Sequence, residues 1–148
     1  MEIVAKSIKN YYQQNLKESN GKIPVIAGTG SNSTEEAISL TSHAEKVGAN
    51  GALIVTPYYN KPTQEGIYQH FAAISRASEK PIIIYNVPGR TASNINPVTV
   101  KRLATQFENI IGIKEAAGDI AQAMSLIAMC PKNFLVISGD DMITLAIV

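Results

Sequence analysis

Five short apolar runs punctuate the chain at a near-constant interval: Ile23-Pro-Val-Ile-Ala-Gly, Ala52-Leu-Ile-Val-Thr, Ile82-Ile-Ile-Tyr-Asn-Val, Ile110-Ile-Gly-Ile-Lys-Glu and Leu135-Val-Ile-Ser-Gly. Their starts lie 29, 30, 28 and 25 residues apart. Each is rich in β-branched residues and bounded by polar or glycine positions, the pattern of a strand. Between them, apolar residues recur at helical spacing over Thr34 to Val47, Gln64 to Ser78, Pro97 to Gln106 and Asp119 to Met129. A further helical pattern, Glu2 to Glu18, precedes the first strand and stops at Asn20-Gly21, a C-terminal signal. Residues from Asp141 to Val148 read as the start of one more helix.

Strands alternating with helices at this spacing are βα units, and the crossover makes the sheet parallel. The strands are nearly continuous apolar runs, as expected where both faces are covered. An open doubly wound sheet and a (β/α)8 barrel both satisfy the pattern, and the period does not separate them. Thr29, Thr56, Tyr85, Asn86, Lys114, Glu115 and Asp140 all fall at or just past strand C-termini. Ligands bind there in either architecture, so a site is located before the fold is chosen.

Composition narrows the function classes. The 148 residues suffice for one domain, 45% are apolar, 17% are charged, and the net charge is +1. That balance points away from nucleic acid and from a membrane surface. The one cysteine, Cys130, rules out an intrachain disulfide and fits a reducing compartment. With no apolar leader pattern and no run near the roughly 18 residues of a membrane span, the expectation is a cytoplasmic domain. Gly28-Thr-Gly30 lacks the third glycine of a dinucleotide fingerprint, since Ser33 stands there, and no Walker A string occurs. His43 and His70 lie on different helices without matching ligands, so they read as surface histidines and no metal is expected.

The candidate chemistry centres on Lys114. Side chains alternate along a strand, so Gly112 and Lys114 share one face while Ile111 and Ile113 take the other. With the isoleucines toward the helices, the lysine points into a barrel, above a glycine that leaves room. Desolvation disfavours an ammonium relative to the free amine, and a free amine attacks ketones to form an iminium. The competing reading is a strand-end lysine that reaches water or pairs with Glu115. Tyr85 ends a neighbouring strand, and its phenol could shuttle protons to a carbinolamine. Arg90, on the loop that follows, offers a guanidinium suited to a carboxylate. Alone, Tyr85 reads equally as a core aromatic, Arg90 as a solvated charge, and Tyr58 and Tyr59 as packing residues. Together, an amine, phenols and a carboxylate clamp suit an α-keto acid.

The strings Ala27-Gly-Thr-Gly, Thr56-Pro-Tyr-Tyr-Asn-Lys-Pro, Tyr85-Asn-Val-Pro-Gly-Arg-Thr, Gly112-Ile-Lys-Glu-Ala and Ser138-Gly-Asp-Asp make the chain resemble the dihydrodipicolinate synthase family. They run in that family's order and spacing along almost the whole chain. The resemblance implies a (β/α)8 barrel and the condensation of pyruvate with L-aspartate 4-semialdehyde in the diaminopimelate route to lysine. By position, Lys114 matches the Schiff-base lysine and Tyr85 a proton-relay tyrosine. Tyr59 matches the relay tyrosine inserted into a neighbouring subunit's site, which implies a homo-oligomer, dimer or tetramer. Arg90 matches the arginine that receives the semialdehyde carboxylate, and Gly139 lies where a backbone carbonyl orients pyruvate. No metal or organic cofactor is implied. Neuraminate lyases share the lysine and tyrosine, but the Gly89-Arg90-Thr91 setting favours the synthase. Asn32, Glu36 and Tyr58 fall at three positions of a lysine-inhibitor site, although Ser33 and Glu36 read equally as a capping box.

A complete barrel takes about 250 residues. The five strands resemble the family's third to seventh, so the expectation is a partial barrel over 1–148 lacking the first two strands and the last. A Gly-Thr-Thr-Gly-Glu segment whose threonine links the relay tyrosines is absent with them. Met1 falls where the family's second helix would be, as if at an internal start. Two functional classes follow: a synthase completed by other segments, or a truncated, non-catalytic remnant.

Overall fold

The computed structural model describes residues 2–147, with side chains described from 10 to 145; Met1 and Val148 lie outside the described residues. The elements run α1 (Glu2–Ser19), β1 (Ile26–Gly28), α2 (Thr34–Lys46), β2 (Gly51–Val55), α3 (Gln64–Arg76), β3 (Ile82–Asn86), α4 (Pro88–Thr91), α5 (Pro97–Gln106), β4 (Ile110–Glu115), α6 (Ile120–Met129), β5 (Leu135–Ser138) and α7 (Thr144–Ile147). Local chemistry sets the helix starts. The side chains of Ser33, Thr63 and Asp119 accept from the backbone N–H three residues on, at 3.3, 3.2 and 3.1 Å, while Pro97 opens α5 with its φ already helical.

Most boundaries lie within a residue of the sequence pattern, and two of the larger differences have a visible cause. The first strand begins at Ile26 rather than Ile23, because Pro24 offers no ladder donor and Asn50 Oδ1 takes the N–H of Val25 at 2.8 Å. Helix α3 stops at Arg76 rather than Ser78. There Asn109 Nδ2 donates to the carbonyls of Ser75 and Ser78, at 3.0 and 2.8 Å, and caps the end from outside.

All five strands are parallel and lie in sequential order β1-β2-β3-β4-β5. The order never reverses, so the sheet has no topological switch point. Helices α2, α3, α5 and α6 pack side by side. Against them Ala52, Ile54, Ile82, Ile84 and Ile113 join Ile67, Phe71, Ile74, Val100, Leu103 and Leu126 in one core. Each such side chain contributes roughly 1.5–3 kcal/mol by leaving water. Helix α1 seats on β1 through a hydrogen bond from the Tyr12 hydroxyl to the Gly28 carbonyl. The opposite, inner face stays open: Ile26, Leu135 and Ile137 are 45%, 50% and 40% exposed. One covered face and one open face make this an arc of a (β/α)8 barrel.

One irregularity matters for the site. Ile82 pairs with Ile110, but Ile83 pairs with Gly112, so β4 carries Ile111 as an additional residue. From there Ile84 faces Ile113, Tyr85 faces Lys114 and Asn86 faces Glu115. An extra residue in one strand changes every pairing beyond it.

His70 corrects a sequence expectation. It is buried, with Nδ1 2.9 Å from Thr34 Oγ1 and its ring edge-on to Phe71. A histidine on the inward stripe of an amphipathic helix packs like an aromatic, whatever its polarity. Among the described residues, no helix is long and apolar enough to cross a membrane.

Candidate active site

Alternation splits the polar residues at the strand ends into two layers. Thr29, Thr56, Asn86 and Glu115 turn toward the helices and are fully buried. Thr29 Oγ1 meets Thr41 Oγ1 at 2.8 Å, and Thr56 Oγ1 donates to the Ser93 carbonyl at 3.4 Å. Tyr85 and Lys114 turn to the open face and are half-buried. Lys114 Nζ lies 4.7 Å from the centroid of the Tyr85 ring, so the amine sits over the aromatic face. Gly139 completes this cluster. Its N–H donates to the Glu115 carbonyl at 2.7 Å, and a Cβ there would come within 3.2 Å of Lys114 Cε and 2.8 Å of Ala116 Cβ. Glycine at 139 leaves the lysine chain its path.

The competing reading of Lys114, paired with Glu115, does not hold. The Glu115 carboxylate lies on the other side of the sheet. It accepts from Asn86 Nδ2 at 3.1 and 3.0 Å, from Gln122 Nε2 at 3.0 Å and from the Ala117 N–H at 2.7 Å. Gly112 also has a different reason from the one the pattern suggested. A Cβ there would sit 2.7 Å from the Leu135 carbonyl oxygen, so the missing side chain admits β5 rather than the lysine. Nor is Lys114 sealed from water, since the inner face of the arc is open.

The remaining candidates stand apart from this cluster. Arg90 was expected on a loop, but Pro88 starts a single helical turn that ends at Ala92 in the left-handed conformation, φ 54°. Arg90 is exposed on that turn, and its guanidinium has no hydrogen bond or ion pair among the described residues. Tyr59 is 89% exposed, in a left-handed backbone conformation, φ 71°. Tyr58 is 40% exposed nearby. Its loop touches the α2 entry through Asn60 Nδ2, which donates to the Asn32 carbonyl at 3.2 Å. Glu36, in the first turn of α2, accepts from Ser31 Oγ at 2.5 Å, and Ser31 Oγ in turn accepts the Ser33 N–H at 3.1 Å. The capping box thus closes through Ser31, and the Glu36 carboxylate has a structural partner.

Sequence reasoning missed the layer beneath the cluster. Asn86 Nδ2 also donates to Asn94 Oδ1 at 2.8 Å, and Asn86 Oδ1 accepts the Ile95 N–H at 3.3 Å. Gln122 and Asn94 exchange two amide hydrogen bonds, at 2.9 and 3.1 Å. Gln64 reaches the Asn94 carbonyl at 2.7 Å from α3. Asn and Gln carry no distinctive spacing, and only the direct succession Tyr85-Asn86 and Lys114-Glu115 on adjacent strands hinted at a pair.

The chain's likenesses are specific. The 4-hydroxy-tetrahydrodipicolinate synthase of Bacillus subtilis (strain 168) is 51% identical over 136 residues, 92% of this chain and 47% of that protein. The crystal structure of dihydrodipicolinate synthase from Aquifex aeolicus superposes with a TM-score of 0.94 at 44% identity, covering 96% of this chain and 48% of that one. The chloride-inhibited dihydrodipicolinate synthase from Acinetobacter baumannii, solved in complex with pyruvate, gives 0.92 at 48% identity, with 96% and 48% covered. The chain thus spans about half the length of the relatives it matches. The model of the dihydrodipicolinate synthetase family matches residues 6–148, nearly all of the arc and every strand end described above. This chain belongs to the dihydrodipicolinate synthetase family.

Proposed function

We propose that the chain carries the pyruvate-capturing centre of a 4-hydroxy-tetrahydrodipicolinate synthase, which condenses pyruvate with L-aspartate 4-semialdehyde through a lysine Schiff base. The observation that supports this best is the cluster itself, with Lys114 Nζ 4.7 Å over the Tyr85 ring beside Gly139. The Lys114 amine attacks C2 of pyruvate, the carbonyl oxygen gains two protons, one of them from the amine, and leaves as water, and an iminium forms. The iminium draws electrons from the methyl group, which loses a proton to give an enamine. The enamine carbon attacks the aldehyde carbon of the second substrate. That substrate's own amine then displaces Lys114 from C2, closing the ring and freeing the enzyme.

Tyr85 is the proton carrier at the carbinolamine oxygen, and Tyr59 of a second subunit extends the relay. Arg90, exposed and unpaired, holds the semialdehyde carboxylate. The Gly139 backbone orients pyruvate. The test is reduction with sodium borohydride in the presence of pyruvate, followed by peptide mass spectrometry. A single pyruvyl adduct on Lys114, absent from Lys114→Ala, is expected. No adduct, or adducts scattered over the surface lysines, would refute the reading.

A second reading is a chain that keeps these residues without turnover. On this reading purified chain supplied with both substrates shows trapping but little or no steady product formation. Sustained turnover excludes it.

A further inference from the structure

We infer that the buried Glu115–Asn86 pair is a positioning device for Lys114 and Tyr85, an inference that rests on the Schiff-base reading above. Glu115 is a carboxylate with 0% exposure, and no lysine or arginine pairs with it among the described residues. Removing a carboxylate from water is costly unless donors replace the lost hydration, and an apolar residue of similar volume commonly serves stability as well or better. Donors from three segments replace that hydration here, so the acid ties those segments to one another. Asn86 Nδ2 spans both oxygens, Gln122 Nε2 approaches Oε2 and the Ala117 N–H approaches Oε1.

Each tie comes from a segment that carries part of the site. Asn86 follows Tyr85 directly, and Glu115 follows Lys114 directly, with Tyr85 facing Lys114 and Asn86 facing Glu115 across the two strands. Ala117 and Gln122 belong to the connection and helix that leave β4. Through Asn94 and the Ile95 N–H, the same amides hold the segment that leaves the Arg90 turn. The pair also lies four positions beyond the shift at Ile111, where β3 and β4 could otherwise pair one residue out of step. In that alternative register Lys114 would stand opposite Asn86 rather than Tyr85. The carboxylate–amide lock on the helix side thus selects the register that brings amine and phenol together on the open side.

The test measures pyruvate capture in the full chain with sodium cyanoborohydride. It separates the rate constant at saturating pyruvate from the final fraction labelled. Four proteins are compared: the unmodified chain, Glu115→Gln, Asn86→Asp, and the double exchange Asn86→Asp with Glu115→Gln. Glu115→Gln is expected to lower the saturated rate constant about tenfold or more, as a misplacement below 1 Å suffices for such losses. The double exchange restores an acceptor facing a donor and is expected to recover rate over both single variants. Leu126→Ala, a core truncation at a buried position away from the cluster, is expected to lower the labelled fraction with an unchanged rate constant.

Equal saturated rates in the unmodified chain and Glu115→Gln overturn this inference while leaving the Schiff-base reading intact. So does a loss in Glu115→Gln confined to the labelled fraction, as in Leu126→Ala. If Glu115→Gln does not fold, Gln122→Met carries the same comparison, since it removes one donor and leaves the carboxylate in place. Absence of any Lys114 adduct in the unmodified chain overturns the Schiff-base reading and, with it, this inference.

Discussion

His70 should make the stability of this chain fall on mild acidification, by an amount that can be worked from its surroundings. Its ring is 4% exposed, and Nδ1 meets Thr34 Oγ1 at 2.9 Å. Among the described residues, Nε2 is buried with no hydrogen-bond partner. Burial disfavours the imidazolium and lowers the pKa from 6.5 to about 4. Above the unfolded value both states hold a neutral ring, and His70 leaves stability independent of pH. Between 6.5 and about 4 the unfolded chain binds a proton that the folded chain refuses, so stability falls with falling pH. Below about 4 both states are protonated and the loss is complete. A shift of this size corresponds to about 3 kcal/mol, lost at up to about 1.4 kcal/mol per pH unit. The assay is urea unfolding across this range for the unmodified chain and His70→Asn, whose amide replaces Nδ1 without titrating. Carboxylates contribute equally to both proteins, so the difference between the curves isolates the ring. Parallel curves would refute the reasoning, as would a His70 proton-resonance titration with its midpoint at the ordinary histidine value.

Gly112→Ala should cost about 1–3 kcal/mol in urea unfolding, since the new methyl would meet the Leu135 carbonyl at 2.7 Å and must push β5 away. An unchanged unfolding midpoint would mean that the two strands are not held this close in solution. Tyr85→Phe keeps the ring under the Lys114 amine but removes the hydroxyl. Pyruvate trapping should slow by about 10²-fold or more if the phenol carries protons. Trapping at the original rate would assign Tyr85 to packing alone.

Element type and order were legible because they depend on local rules. β-branched runs, helical spacing, the Asn20-Gly21 stop and the Ser33 capping box are short-range signals. Lys114 and Tyr85 stood out as candidates, since an amine and a phenol at neighbouring strand ends are chemically distinctive, and the structure sets the amine over the ring. His70 was misread because its polarity says less than its place on the inward stripe of α3. The Arg90 turn was missed because a single helical turn has no period to detect. Glu115 drew notice as a strand-end polar residue and a partner for Lys114, because a one-residue step along a strand reverses the face in a way that composition cannot show.

By itself, then, the sequence determined the alternation of strands and helices, the parallel sense of the sheet and the end of the sheet where chemistry gathers. The tertiary structure decided which face each strand end presents, and it set the register between β3 and β4. The additional residue Ile111, the close approach of β5 at Gly112 and the amides around Glu115 act together to place Lys114 opposite Tyr85. Pairing between strands depends on contacts among residues far apart in the chain, and a shift of one position exchanges the two faces. No local pattern carries that information.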